Sequence, residues 1–272
     1  MSRTHTGTAR SRVGSSRIAP SPGVALLVVI AYAAAFTVTA ATSGIPYTQW
    51  FASPSNVWRC AVLPLAVGTV LLLAFQAWAR WDGVFRDRPR MTTSALLRIA
   101  VVVFAAGIVA HLVFVDWAGL DPAIVPPILV TGVLVGFCEE LLFRGVLVRG
   151  LRTDGRSEAF VVVASSVTFG LFHLTNLITG SPVAAVANQV VAATFTGVIL
   201  YAVRRLTGLL VAGMIAHGLW DVSLFLPSTA ATTASSLVAL VFLVLVPVAG
   251  LLALLSVVTR ERRTPRRRPG LA

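Results

Sequence analysis

Glu139, Glu140, His173, His217 and Asp221 lie within stretches otherwise built mainly of aliphatic residues. The chain has only ten acidic residues and four histidines, so this is a large share of its proton-active groups. A charged side chain at the centre of a bilayer costs at least about 2.5–3.5 kcal/mol on insertion scales, and such residues usually mark buried, water-accessible sites. Carboxylates and imidazoles in that setting suit three kinds of chemistry: activation of water by a general base, ligation of a divalent cation, and relay of protons.

Their spacing assigns different roles. Glu140 and Arg144 are four residues apart and can pair on one helix face, which neutralises Glu140. Glu139 points about 100° away and has no such local partner. An unpaired, desolvated carboxylate suits a general base. Two buried ion contacts bracing a bundle are the plainer alternative, but a brace needs only one carboxylate. Phe169 and His173 share the next helix face, and Gly170 between them lets a neighbouring backbone approach closely. Taken alone, His173 would read as a hydrogen-bonded core histidine. His217 and Asp221 are again four apart, so the aspartate can orient the imidazole or share in binding a ligand.

The elements that position these groups are membrane spans. The 272 residues are 57% hydrophobic, with a mean hydropathy of +0.87. These values exclude an ordinary soluble globule. A spanning helix needs about 20 apolar residues. Eight stretches meet that requirement: 23–41, 57–79, 95–115, 124–148, 159–178, 183–203, 208–226 and 234–258. They are too long and continuous for the alternating strands of a barrel. The expected fold is therefore an all-α polytopic bundle of about eight transmembrane helices with an intramembrane polar site. Counted at 1.5 Å per residue from the arginine-rich ends, Glu139 and His217 lie about 14 Å deep, and His173 and Asp221 about 20 Å. Four polar side chains from three helices thus share one layer. His111, near the other end of the third span, is expected to stand apart from this set, and His5 lies near the N-terminus.

The net charge of +12 comes entirely from arginine, as expected of a GC-rich genome. Twenty of the 22 arginines fall on one side of the spans; Arg59 lies on the other side and Arg144 lies inside a span. That placement argues against nucleic acid as a partner and, by the positive-inside rule, puts both termini in the cytoplasm. Residues 1–22 and 259–272 read as disordered basic cytoplasmic tails flanking one helical membrane domain, 23–258. The loop from Arg80 to Thr93 is expected on the membrane surface. Cys60 and Cys138 fall in different spans and read as small apolar fillers.

The ordered motifs EExxxR, FxxxH and HxxxD, carried here by Glu139-Glu140…Arg144, Phe169…His173 and His217…Asp221, resemble the CAAX-protease and bacteriocin-processing family, also called Abi. The similarity extends over roughly 120–226 and includes the type II CAAX prenyl endopeptidases. It implies an intramembrane endopeptidase of the bacterial plasma membrane, acting on membrane-bound peptides or proteins in a conical cavity of helices. It further implies that Glu139 and His173 activate the attacking water, while His217 and Asp221 stabilise the oxyanion or hold a metal. Glu140, Arg144 and Phe169 would support the site. Many members carry Asn where this chain has Asp221, and a charged aspartate cannot donate a hydrogen bond to an oxyanion.

Two mechanisms stay open at this point. Glu139, His173 and His217 form a plausible set for Zn2+ or another divalent metal, although the chain has no HExxH signature. A metal-free glutamate–histidine pair would use the same residues. The reading places water entry on the cytoplasmic side, between the fourth, fifth and seventh spans. Its rivals are a non-catalytic scaffold or bacteriocin self-immunity factor of the same fold, and a proton-coupled transporter. The absence of a visible internal repeat disfavours the transporter. Substrate identity and oligomeric state are not legible in these residues.

Overall fold

Short polar–proline junctions start several of the helices. Ser21 accepts a hydrogen bond from the Val24 amide immediately before Pro22, and Ser53 accepts one from Asn56 immediately before Pro54. Ser94 and Ser157 cap the amides of Leu97 and Phe160 in the same way. A serine side chain satisfies one of the amides that a first helical turn leaves unpaired, and proline is already set for the first helical position. Left-handed residues end two helices: Arg80 at φ 55° and Gly208 at φ 74°.

The computed structural model describes residues 16–87 and 94–263. Among the described residues eight helices are long and apolar enough to cross a membrane. They are α1 (Pro22–Ala41), α2 (Pro54–Ala79), α3 (Ala95–Val113), α4 (Pro122–Arg152), α5 (Glu158–Ile178), α6 (Val183–Thr207), α7 (Leu210–Thr229) and α8 (Thr233–Arg263). Among the described residues there is no strand, only an isolated bridge between Arg86 and Leu209. The all-α bundle and its span count are as the sequence implies, with ends shifted by a few residues.

Two tail boundaries differ from expectation. Residues 16–21, read as the end of a disordered tail, are tied to the end of α2 and the loop after it: the Arg17 amide donates to Ala79 O and the Trp81 indole to Ile18 O. At the other end α8 stays helical through Arg263, past the expected boundary at 258. The remaining tail assignments, 1–15 and 264–272, lie outside the described residues.

α4 is the most buried span, and α7 lies against it more extensively than any other pair of helices. Glycine makes that contact possible. A Cβ on Gly136 would collide with the Met214 carbonyl oxygen, and a Cβ on Gly218 would sit 2.5 Å from Gly132 O. Small residues at such a crossing let two backbones touch, the usual way membrane helices pack without a hydrophobic driving force. Gly170 does the same for α5 against α6, where a Cβ would lie 2.7 Å from Val190 O. α8 covers α3 and α6.

α4 is not α-helical throughout. It changes to π-helical winding at Glu140 and keeps it through Leu147. Such insertions are rare and concentrate at functional sites, because they re-aim the side chains around them.

At the arginine-rich end residues 80–87, the described part of the loop expected on the membrane surface, are stitched across the bundle, while 88–93 lie outside the described residues. Arg149 pairs with Asp82 at 2.8 Å, while Arg152 and Arg205 both reach Asp87, at 2.9 and 2.8 Å. Arg204 donates to the carbonyls of Gly83 and Val84. The Tyr201 hydroxyl donates to Glu158, and Glu261 at the end of α8 accepts from the amides of Glu158 and Ala159 in the first turn of α5.

Burial by itself would raise the pKa of Asp87, but Arg152, Arg205 and Arg204 outweigh it and hold the carboxyl below the ordinary range. A carboxyl depressed on folding contributes stability that is complete above its unfolded value, about 4, and disappears as pH falls through the folded value. The thermal midpoint of the wild type in detergent should therefore drop below about pH 4. Asp87→Asn should be less stable near neutrality and show a flatter acid limb. An unchanged acid limb in Asp87→Asn would assign the pH dependence to other groups.

Candidate active site

Glu139 closes the α-helical part of α4, and Glu140 opens the π-helical part. Adjacent in sequence, they take different environments. Glu139 is 7% exposed and lines a cavity of about 560 Å³, whereas Glu140 is fully buried in the wall behind it.

Glu140 is a junction. Its Oε1 lies 3.0 Å from Arg144 Nη1 and 3.0 Å from His217 Nδ1. The first contact is the expected pair along one helix; the second crosses from α4 to α7. Gly213 leaves the room it needs, since a Cβ there would sit 3.0 Å from Glu140 Oε2. An ionised carboxylate only accepts, so His217 carries its proton on Nδ1 and turns Nε2 toward the cavity. Nε2 stands 3.8 Å from Glu139 Oε2 and 3.9 Å from Asp221 Oδ1.

The expected pairing of His217 with Asp221 is present at ion-pair distance, and Glu140 adds the hydrogen bond that spacing along α7 did not reveal. The four-residue spacing on α7 brings those two only to 3.9 Å, whereas the glycine-mediated contact of α4 and α7 brings Glu140 to hydrogen-bonding distance. Glu140 orients the imidazole and Asp221 faces the cavity.

His173 sits where the main helix of α5 stops, one residue beyond Phe172. Its backbone amide donates to Gly170 O, and its ring Nδ1 donates to Phe169 O at 3.0 Å. A carbonyl cannot donate, so Nε2 again holds the free lone pair. Phe169 is the common wall. Its ring stacks beneath the Arg144 guanidinium at 4.2 Å and meets His173 and His217 edge-on at 5.2 and 5.5 Å. Three carboxylates therefore converge on one imidazole and one guanidinium, an excess of negative charge that protons or a cation would balance.

Glu139, His173, His217 and Asp221, the four expected catalytic residues, all line this one cavity. It lies between α4, α5 and α7, as expected. From Glu139 it extends past Val135 and Thr131 on α4, and from His217 toward Leu224 and Phe225 on α7. Tyr47, Trp50 and Phe51 in the connection between α1 and α2 line it as well, so it lies toward the arginine-poor end. His217 lines it, with Glu140 and Arg144 packed behind. α3, α6 and α8 also contribute to its walls.

His111 was expected to stand apart and does not. It is 2% exposed, packs edge-on to Trp220 at 5.5 Å and lines the same cavity. Sequence reasoning also passed over Asn176 and Gln189, whose side chains bond to each other at 2.9 Å in the cavity wall. They were legible in principle, because an amide in an apolar span incurs the same kind of desolvation cost as the groups that were singled out. Cys138 is buried, bonds to Thr69 at 3.0 Å and does not line the cavity, consistent with a filler.

The expected metal set is Glu139, His173 and His217. Each imidazole has Nδ1 bonded to an oxygen and Nε2 free, which is the arrangement metal-ligating histidines adopt. Convergence is missing: among the described residues no three His, Cys, Asp or Glu side chains are grouped closely enough to hold a metal ion. The donor atoms suit a divalent metal, but the described residues do not bring three of them around one point.

Fold and site define a class: a multi-span helical membrane protein whose proton-active residues meet in a cavity within the span bundle. Residues 121–223 match the family model described as type II CAAX prenyl endopeptidase Rce1-like, which covers all three motifs. The match spans 103 of the 272 residues. No curated protein and no solved structure matches the chain significantly.

Proposed function

We propose that the chain hydrolyses peptide bonds of membrane-bound peptides or proteins with water activated in the intramembrane cavity. The observation that carries this reading is the convergence of Glu139, His173, His217 and Asp221 from three spans on one cavity of about 560 Å³. A water between Glu139 and the free Nε2 of His173 gives one proton to the Glu139 carboxylate. Its oxygen attacks the carbonyl carbon, and the carbonyl oxygen takes up the negative charge. Collapse breaks the C–N bond, and the leaving nitrogen takes the proton back from Glu139. His217, oriented by Glu140, faces the reacting atoms with Nε2. Phe169 and the aliphatic lining exclude bulk water, which strengthens each of these polar interactions.

With the arginine-rich end cytoplasmic, as the positive-inside rule suggests, the cavity faces the outer half of the membrane. This reading replaces the expected cytoplasmic entry. Peptide maturation and self-immunity to a bacteriocin both fit such a peptidase, and prenylated substrates are not required by the lining.

The test uses wild type and His173→Ala reconstituted in vesicles with a library of membrane-spanning reporter peptides, cleavage being read by mass spectrometry. Wild-type cleavage that is lost in His173→Ala supports the proposal. No cleavage by wild type, or equal cleavage by both, counts against it, and proton-coupled uptake lost in the variant would point to a transporter. Metal analysis of the purified protein, with chelator controls, tests the divalent-metal version. Bound zinc together with chelator-sensitive cleavage would restore Glu139, His173 and His217 as ligands.

A further inference from the structure

The proposed hydrolysis leaves one requirement unmet by the expected residues. A carbonyl oxygen acquiring charge needs a hydrogen-bond donor aimed at it, and such donors usually supply the largest single part of catalysis. Asp221 lines the cavity, but an aspartate carboxylate has no proton to give.

Three of the other hydroxyl and indole donors in the cavity are committed. Thr131 donates to Pro127 O at 2.8 Å, Ser236 to Thr232 O at 2.8 Å and the Trp50 indole to Ile45 O at 3.2 Å. Tyr47 differs. Its oxygen accepts from Gln189 Nε2 at 3.5 Å, the long limit for such a bond, and an amide nitrogen can only donate, so the phenolic proton stays available.

The ring is also held in place. The Tyr47 backbone amide donates to Thr179 O at 2.7 Å, and the ring packs on Trp50 at 4.8 Å. Gln189 is fixed in turn by Asn176 Nδ2 at 2.9 Å. A chain of side chains therefore runs from the end of α5, through the start of α6, to this phenol. Burial, with Asp221 and Glu139 adding to it, raises the phenol pKa and keeps the hydroxyl protonated; the bond from Gln189 offsets part of that rise.

We infer that the Tyr47 hydroxyl is the hydrogen-bond donor to the substrate carbonyl oxygen in this cavity, with Asn176 and Gln189 setting its direction. The inference rests on the hydrolase reading above and assigns a role to a residue outside the three motifs and outside the spans.

Tyr47→Phe removes the donor and keeps the ring. With the best-cleaved reporter peptide from the vesicle library, kcat should fall about 100-fold, with KM changed less than about threefold and the thermal midpoint unchanged. A thioamide at the scissile bond separates donation from packing, because sulfur is a poor acceptor. The wild type should slow on the thioamide, and Tyr47→Phe should slow little further.

Glu139→Gln measured alongside distinguishes the two levels of interpretation. If Glu139→Gln is inactive while Tyr47→Phe cleaves the oxygen peptide at the wild-type rate, the assignment of Tyr47 is wrong and the hydrolase reading stands. If Tyr47→Phe is slow but equally so on both peptides relative to wild type, Tyr47 is structural. If wild type cleaves no reporter, or Glu139→Gln cleaves as wild type does, both fall.

Discussion

Glu139→Gln is expected to abolish cleavage while leaving the protein folded. The amide has the same shape as the carboxylate, but it cannot take a proton from water. A positioned general base is worth about 10²–10⁴-fold, so a loss of that order in kcat is the expected result. The fold should tolerate the change because Glu139 lines the cavity and its nearest ionic partner, His217 Nε2, is 3.8 Å away. The check is a paired measurement of cleavage rate and thermal midpoint in the same detergent. A Glu139→Gln protein that cleaves within a few-fold of wild type would remove Glu139 as the base.

Arg144→Met is expected to do the opposite, acting first on stability. Glu140 and Arg144 are fully buried, and the guanidinium is held by the carboxylate at 3.0 Å and the Phe169 face at 4.2 Å. Removing one partner of a buried pair leaves a charge with no compensation, at a cost of about 3–5 kcal/mol. Glu140 would then keep only His217. A second change, Glu140→Gln, removes that stranded charge while leaving an oxygen that can accept from His217 Nδ1. The double variant Glu140→Gln/Arg144→Met should therefore recover most of the lost stability, as replacements of buried ion pairs by neutral groups often do. Unfolding of wild type, single and double variants completes the cycle. A single Arg144→Met protein as stable as wild type would show that the pair does not hold α4 in place.

Some of this organisation was legible residue by residue. Lipid tolerates few polar groups, so each one left in a span marks a place where it is satisfied or used. That rule picked out Glu139, Glu140, His173, His217 and Asp221, and the four-residue spacing correctly paired Glu140 with Arg144. The same spacing brought His217 within 3.9 Å of Asp221 but missed its hydrogen-bond partner. Helical spacing describes neighbours within one helix, whereas the stronger contact of His217 comes from Glu140 on another, 77 positions away. Only the backbone contact of Gly132 and Gly136 with Gly218 and Met214 creates it.

His111 was misplaced for a related reason. Its depth along α3 was read correctly, but depth does not say which way a side chain faces, and α7 and α8 turn Trp220 and Phe242 onto its ring. Tyr47 gave no signal at all. It lies in a short connection whose composition is ordinary, and it reaches the cavity only because its amide is bonded to Thr179 between α5 and α6.

The amino-acid sequence by itself determined the membrane setting, the eight helices and the list of residues able to move protons, because hydropathy and charge cost are properties of residues in order along one chain. It also determined the internal pairing of Glu140 with Arg144. The tertiary structure decided which carboxylate orients which histidine, how far apart the would-be metal ligands stand, and that the cavity lies toward the arginine-poor end. Those outcomes depend on how separate helices touch. In a bilayer that is decided by close packing at a few glycines, and spacing along a single helix carries no record of it.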